Sequence, residues 1–156
     1  MAVTLDPETR DLLADPATTG IIATVDEEGI PQVTVSRFLR ADGDHLIHLE
    51  LLESSPTTRD LLRSLWFDRK VAVLLKGEGG ESRVIRGRAI RTHISGPVFR
   101  SCYETVRGLL GDAGLAGVWV IEADEIIDDT YETRRVLEKE RFPFHLHLDQ
   151  LAVPDP

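Results

Sequence analysis

The run Ser54-Ser55-Pro56-Thr57-Thr58, followed by Arg59, is the stretch of this chain best suited to chemistry. Leu61, Leu62, Leu65 and Trp66 come after it at helical spacing, so the hydroxyls sit at a helix N-terminus. Such a terminus offers unpaired N–H groups and a partial positive charge, which together stabilise an anion such as a phosphate. Hydroxyls add hydrogen bonds, and the Arg59 guanidinium adds a planar, charge-assisted contact. The same residue types also serve simply as N-caps. A second group lies on the alternating run Gln32-Val33-Thr34-Val35-Ser36-Arg37. There Thr34 and Ser36 share one strand face, while Val33, Val35 and Arg37 share the other. Arg37 is a basic candidate ligand that must reach past the strand end.

Other groupings carry less. His145 and His147 share a strand face, and His45 and His48 lie close in sequence, but neither pair has the third and fourth ligand of a metal site. No Gly-x-Ser-x-Gly elbow is present, which points away from a serine hydrolase of that type. Gly77-Glu78-Gly79-Gly80 stands between two strands and opens no helix, so it reads as a turn and not as a dinucleotide loop. Trp66, Phe67 and Trp119 read as core or subunit-interface residues, and Cys102 as a small buried apolar side chain.

The elements that position these residues are short. Asp6 caps a helix over residues 8–14, with Pro7 in its first turn. Residues 19–25 and 30–39 form a hairpin around Asp26-Glu27-Glu28-Gly29, and a third strand covers 45–52. After the helix that starts at the hydroxyl run come strands at 71–75 and 82–92. The second of these holds Gly87 in its interior, where glycine permits a close backbone approach. A helix over 97–110, a sixth strand over 115–123 and a helix over 129–141 precede a tail at 142–156. Six strands with few crossover helices predict a mainly β domain spanning 1–156, an antiparallel barrel with flanking helices.

Of the 156 residues, 18 are Lys or Arg and 27 are Asp or Glu, giving a net charge of −9. Between residues 54 and 91, however, nine basic side chains stand against four acidic ones. An acidic total argues against non-specific nucleic-acid binding, and a local basic island suits one compact anion. No apolar run approaches the roughly 20 residues of a membrane span, the opening MAVTLDPETR lacks signal-peptide character, and one cysteine forms no internal disulfide. A cytoplasmic location, without membrane partners, is the expectation.

At this point the sequence resembles the flavin-binding split-barrel proteins related to pyridoxamine 5′-phosphate oxidase. The resemblance covers roughly residues 10–127. It is carried by Gly20-Ile21-Ile22-Ala23-Thr24-Val25, Gly29-Ile30-Pro31, Ser55-Pro56-Thr57-Thr58-Arg59-Asp60-Leu61, Arg69-Lys70-Val71-Ala72-Val73-Leu74, Val84-Ile85-Arg86-Gly87-Arg88-Ala89 and Trp119-Val120-Ile121-Glu122-Ala123-Asp124. It implies a six-stranded split barrel, a homodimer, and FMN bound in clefts between subunits. In the family a basic side chain late in the second strand and a Ser-Arg-Lys segment after the third hold the flavin phosphate. Arg37 matches the first and Ser55 the serine, but Pro56 and Thr57 stand where the Arg and Lys would be. Ser54, Ser55, Thr57, Thr58 and Arg59 are the substitutes, while Gln32, Thr34 and Ser36 would face the flavin ring.

The functional expectation is an FMN-dependent oxidoreductase of unknown substrate, in which the cofactor supplies the chemistry and no catalytic side chain is named. Pyridoxamine 5′-phosphate oxidation itself is not expected, because the tail from Phe142 onward lacks the Trp and Arg that such enzymes use. That tail is expected to pack across the partner subunit. A haem- or deazaflavin-binding relative, with His45, His48, His93, His145 or His147 as axial ligand, is one alternative. A non-enzymatic cofactor-binding module is the other.

Overall fold

Asp6 starts the first helix. Its carboxylate accepts the Thr9 N–H at 2.8 Å and the Thr9 hydroxyl at 2.9 Å, and Pro7 occupies the first helical position, where no N–H is required. Helix α1 then runs Pro7–Ala14 in the computed structural model, which describes residues 1–112 and 114–143. The expected tail therefore lies, from residue 144 on, outside the described residues.

Strands β1 (Thr19–Val25) and β2 (Pro31–Ser36) form the predicted hairpin. The Asp26 carboxylate holds its turn by accepting the N–H of Glu28 and of Ile30, and Gly29 takes φ +81° there. The expected second strand, carried through Leu39, is in fact two. The chain bends at Arg37 and Phe38 and begins a separate strand β3 (Leu39–Asp42), paired with β4 (His45–Glu50). The sheet accordingly has seven strands, not six, in the order β2-β1-β5-β6-β7-β4-β3. The break has a physical cause: β2 pairs with β1 at one sheet edge and β3 pairs with β4 at the other, and one straight strand cannot serve both.

Helix α2 (Pro56–Phe67) ends at Asp68, which takes the left-handed conformation (φ 53°) and accepts a 2.6 Å bond from Arg88. Strand β5 is Val71–Lys76, β6 is Ser82–His93, α3 is Gly96–Leu110, β7 is Gly117–Asp128 and α4 is Tyr131–Arg141. Strand β7 outruns its expected end at residue 123 because Glu125 and Asp128 stand opposite Arg86 and Arg83 of β6 and pair with them. The β6–β7 ladder slips at Gly87, where a Cβ would lie 2.0 Å from the Glu122 carbonyl oxygen. The close approach anticipated at this glycine is thus one strand crowding another.

Every ladder is antiparallel, and the sheet curls so that Ser36 of β2 meets His48 of β4 across its open side. One apolar core fills the barrel, with Ile22, Leu46, Leu61, Val73, Ile85 and Ile121 almost fully buried. A second lies between α3 and the other face of β4 and β7, where Cys102 and Val106 pack on Ile47, Leu49 and Val118. Trp119 belongs to the first core, as expected. Trp66 and Phe67 do not: they are 72% and 67% exposed at the end of α2, which removes the core reading for both. No helix among the described residues is long and apolar enough to cross a membrane.

Candidate cofactor site

Strand β2 is a sheet edge, so one side of its backbone has no strand partner. Gln32, Thr34 and Ser36 stand opposite Thr24, Ile22 and Gly20 of β1, all buried, and therefore face the barrel interior. Gln32 and Thr34 are half-buried, and Ser36 is buried. The expected separation of strand faces holds: Val33 and Val35 point outward, 65% and 62% exposed. Arg37 escapes the alternation because β2 has already ended. It lies in the bend, exposed, and lines a cavity of about 110 Å³ with Thr18, Gly20 and Ser36.

The Ser36 hydroxyl is engaged from within. It lies 2.7 Å from His48 Nδ1, and His48 Nε2 lies 3.1 Å from Glu50 Oε2. Glu50 also accepts the Leu52 N–H and a bond from Ser55, the N-cap of α2. Burial pushes the Glu50 carboxyl up, but the hydrogen bond and charge of His48, with those two further donors, outweigh it and hold the group below its ordinary range. An ionised Glu50 only accepts, so the His48 Nε2 facing it carries a proton; when the imidazole is neutral, Nδ1 accepts from the Ser36 O–H. Sequence reading could not assemble this chain. His48 and Glu50 share a face of β4, but Ser36 is twelve residues away, and the barrel's closure alone brings it near.

The helix N-terminus is partly spent on itself. Ser55 Oγ accepts the Thr58 N–H at 3.0 Å and bonds the Thr58 hydroxyl, and Pro56 has no N–H to give. Thr57 is buried, 3% exposed, while Ser54 is exposed and Thr58 half-buried. The chain therefore brings Ser55 and Thr58 together with Glu50 and His48, and it withdraws the Thr57 side chain from solvent. Arg59, like Arg37, is exposed and carries no ion pair among the described residues. Deeper in α2, the Asp60 carboxylate is buried and accepts a 2.6 Å bond from Thr24. Asp60 was not singled out from sequence, because nothing in its spacing distinguishes it from a solvated helix position.

A larger cavity of about 490 Å³ opens at the far end of β1, between Thr24, Val25, Pro31 and Ala72, with the pairs Lys70–Asp124 and Arg86–Glu125 at its rim. No group of three or more metal-ligating side chains occurs among the described residues.

No family model and no curated protein matches this chain. Solved structures do. HupZ of Group A Streptococcus superposes with a TM-score of 0.69 at 18% identity, over 82% of this chain and 96% of its own. A Lactobacillus delbrueckii structure bearing the name pyridoxamine 5′-phosphate oxidase superposes at 0.60 and 19% identity, over 80% and 93%. The fold is the split barrel of that group. HutZ, the heme storage protein of Vibrio cholerae, shares it at 0.57 and 15% identity, over 81% and 95%. So do proteins whose names record FMN binding and F420 reduction. Chains of this fold thus bear names that record FMN binding, F420 reduction and heme storage.

The fit of an FMN can be judged group by group. A phosphate dianion has Arg37, Arg59, the Ser54 hydroxyl and the N–H of Thr57 available. It does not have Ser36 or Thr57 as free hydroxyls, and it must stay clear of the Glu50 carboxylate. Along β2, Gln32 and Thr34 and the unpaired backbone edge suit the hydrogen-bonding rim of a flat heterocycle. The donors left free are of the kind an FMN phosphate and ring edge would require, and the arginines offer more of them than the helix cap.

Proposed function

We propose that this chain is an FMN-binding split barrel that works as a homodimer in oxidation–reduction. The observation that supports this most is the free edge of β2, with Gln32 and Thr34 turned inward beside it and Arg37, unpaired among the described residues, at its end. FMN, when bound, supplies the hydride or electron transfer. The protein's residues then bind and orient: Gln32 and Thr34 hold the ring, and Arg37, Arg59 and Ser54 hold the phosphate.

The dimer has separate support. Val35, Ile21, Leu74, Val84 and Ile127 stand side by side across five strands on the outer face, an apolar row in which Val35 is 62% exposed. A contiguous apolar stripe of this kind on an acidic chain is a partner surface. A second copy presents the same stripe, so a two-fold axis across it is self-complementary.

Haem is the weaker alternative, because both ring nitrogens of His48, the buried histidine nearest the site, are already bonded. The test is the absorption spectrum of the purified protein, before and after added FMN. A bound-flavin spectrum is the expected result, and a Soret band or a colourless protein that ignores FMN overturns the reading. Arg37→Ala and Arg59→Ala should each weaken FMN about ten-fold or more while sparing riboflavin, which has no phosphate.

A further inference from the structure

We propose that Ser36 is a nucleophilic serine that accepts short acyl groups from esters, with His48 as its base and Glu50 as the carboxylate that orients the base. The proposal needs no cofactor; it shares Arg37 with the phosphate site proposed above, so the two uses exclude one another. It rests on the buried chain Ser36 Oγ–His48 Nδ1 at 2.7 Å and His48 Nε2–Glu50 Oε2 at 3.1 Å. A nucleophile bonded to a base, with the base bonded to a third group, is the arrangement that activates a hydroxyl, whichever fold carries it. Here the imidazole presents Nδ1 to the serine and Nε2–H to the carboxylate. Glu50, 12% exposed and accepting from His48 and Leu52, is anchored well enough to fix that orientation.

Two further observations place a substrate next to the serine. Ser36 lines the 110 Å³ cavity together with Thr18, whose hydroxyl oxygen is buried and has no hydrogen-bond partner among the described residues. A buried hydroxyl left unpaired is costly, and if the Thr18 side chain turns toward the cavity the carbonyl or oxyanion of a guest would accept its hydrogen. Arg37 lines the same cavity with an unpaired guanidinium, a cation suited to the negative charge that develops on an attacked carbonyl. Asp15 is also present, but its carboxylate is turned onto the Ala17 N–H at 2.9 Å. At about 110 Å³ the cavity is small, which suits a short acyl group better than a fatty chain.

The chemistry balances without an oxidant. Ser36 Oγ bonds to the ester carbonyl carbon while its proton passes to His48 Nδ1, and the resulting imidazolium is paired with Glu50. The tetrahedral intermediate collapses with cleavage of the ester C–O bond, and the alcohol leaves with the proton from His48. Water then attacks the acyl carbon and gives a proton to His48. Ser36 departs from the carbon and takes that proton back, releasing the carboxylic acid.

The full-length protein is treated with methanesulfonyl fluoride, a small serine-directed probe, and mapped by mass spectrometry. The tryptic peptide covering residues 11–37 contains one serine, Ser36, and fragment ions separate it from Thr18, Thr19, Thr24 and Thr34. The expected result is stoichiometric sulfonylation of Ser36, at least a hundred-fold slower in His48→Gln. Hydrolysis of 4-nitrophenyl acetate should exceed that of 4-nitrophenyl octanoate. No adduct, an adduct on another residue, or a labelling rate untouched by His48→Gln overturns the proposal. Should His48→Gln fail to fold, Glu50→Gln replaces it, with labelling about ten-fold slower expected and an unchanged rate counting against the idea.

Discussion

Thr24 of β1 donates a 2.6 Å hydrogen bond to the Asp60 carboxylate of α2, and the two side chains are only 3% and 4% exposed. This bond ties the helix behind the hydroxyl run to the strand beside β2. Thr24→Val keeps the shape of the side chain but leaves a buried carboxylate short of its donor. A loss of about 1–3 kcal/mol is expected in urea unfolding, with Thr24→Ser close to wild type. A Thr24→Val variant as stable as the parent would show that Asp60 finds another partner.

Gly87 makes a second, sharper case. A methyl there meets the Glu122 carbonyl oxygen at 2.0 Å and its carbon at 2.9 Å, both backbone atoms that cannot swing aside. Gly87→Ala should therefore cost about 3 kcal/mol, the upper end for overpacking, or prevent folding. A mild effect in thermal melts would mean that the β6–β7 slip absorbs the extra atom.

The outer apolar row predicts an assembly phenotype. Val35 is largely exposed in the single chain, so Val35→Lys should leave the protomer's unfolding midpoint nearly unchanged at high dilution. Sedimentation should then report a monomer in place of a dimer. A dimer that tolerates Val35→Lys places the subunit contact elsewhere.

Acid stability should depend on Glu50. Its carboxyl is desolvated, yet hydrogen bonding and charge from His48, with bonds from Leu52 and Ser55, keep it below the ordinary value of 4.5. A depressed group stabilises the fold above its unfolded value and loses that contribution as pH falls through the lower, folded one. The advantage of the parent over Glu50→Gln should thus be full at neutral pH and shrink below about pH 4.5. Asp6 and Asp128 are also held low despite desolvation, by Thr9 and by Thr130 and Thr133 respectively, with Arg83 aiding both, so an acid limb persists in the variant. Melting temperatures of both proteins from pH 7 to pH 3 decide it; parallel curves would exclude Glu50.

Local signals in the sequence were sufficient for the helix capped by Asp6, the Asp26–Gly29 turn and the start of α2, because capping and turn chemistry act over a few residues. The break at Arg37 and Phe38 was not legible, since both neighbouring runs are β-like and only the opposite placement of β1 and β4 demands a bend. Arg37 and Arg59 could be named from type and position. The link from Ser36 through His48 to Glu50 could not, because it depends on how far the sheet curls before its ends meet. The reach of β7 to Asp128 was likewise hidden, as acidic side chains read like a strand end until their arginine partners on β6 are seen.

The two margins of the sheet are fastened by a side-chain bond between Ser36 and His48, not by a backbone ladder. Beside it the Leu49 N–H donates to the Phe38 carbonyl at 3.0 Å, so one side-chain bond and one main-chain bond close the barrel at that point. Amide protons of β2 and β3 should exchange with deuterium earlier than those of β5, β6 and β7, which have a strand on both sides. A guest lying along the unpaired edge of β2 would therefore rest on the part of the sheet with the fewest main-chain ties.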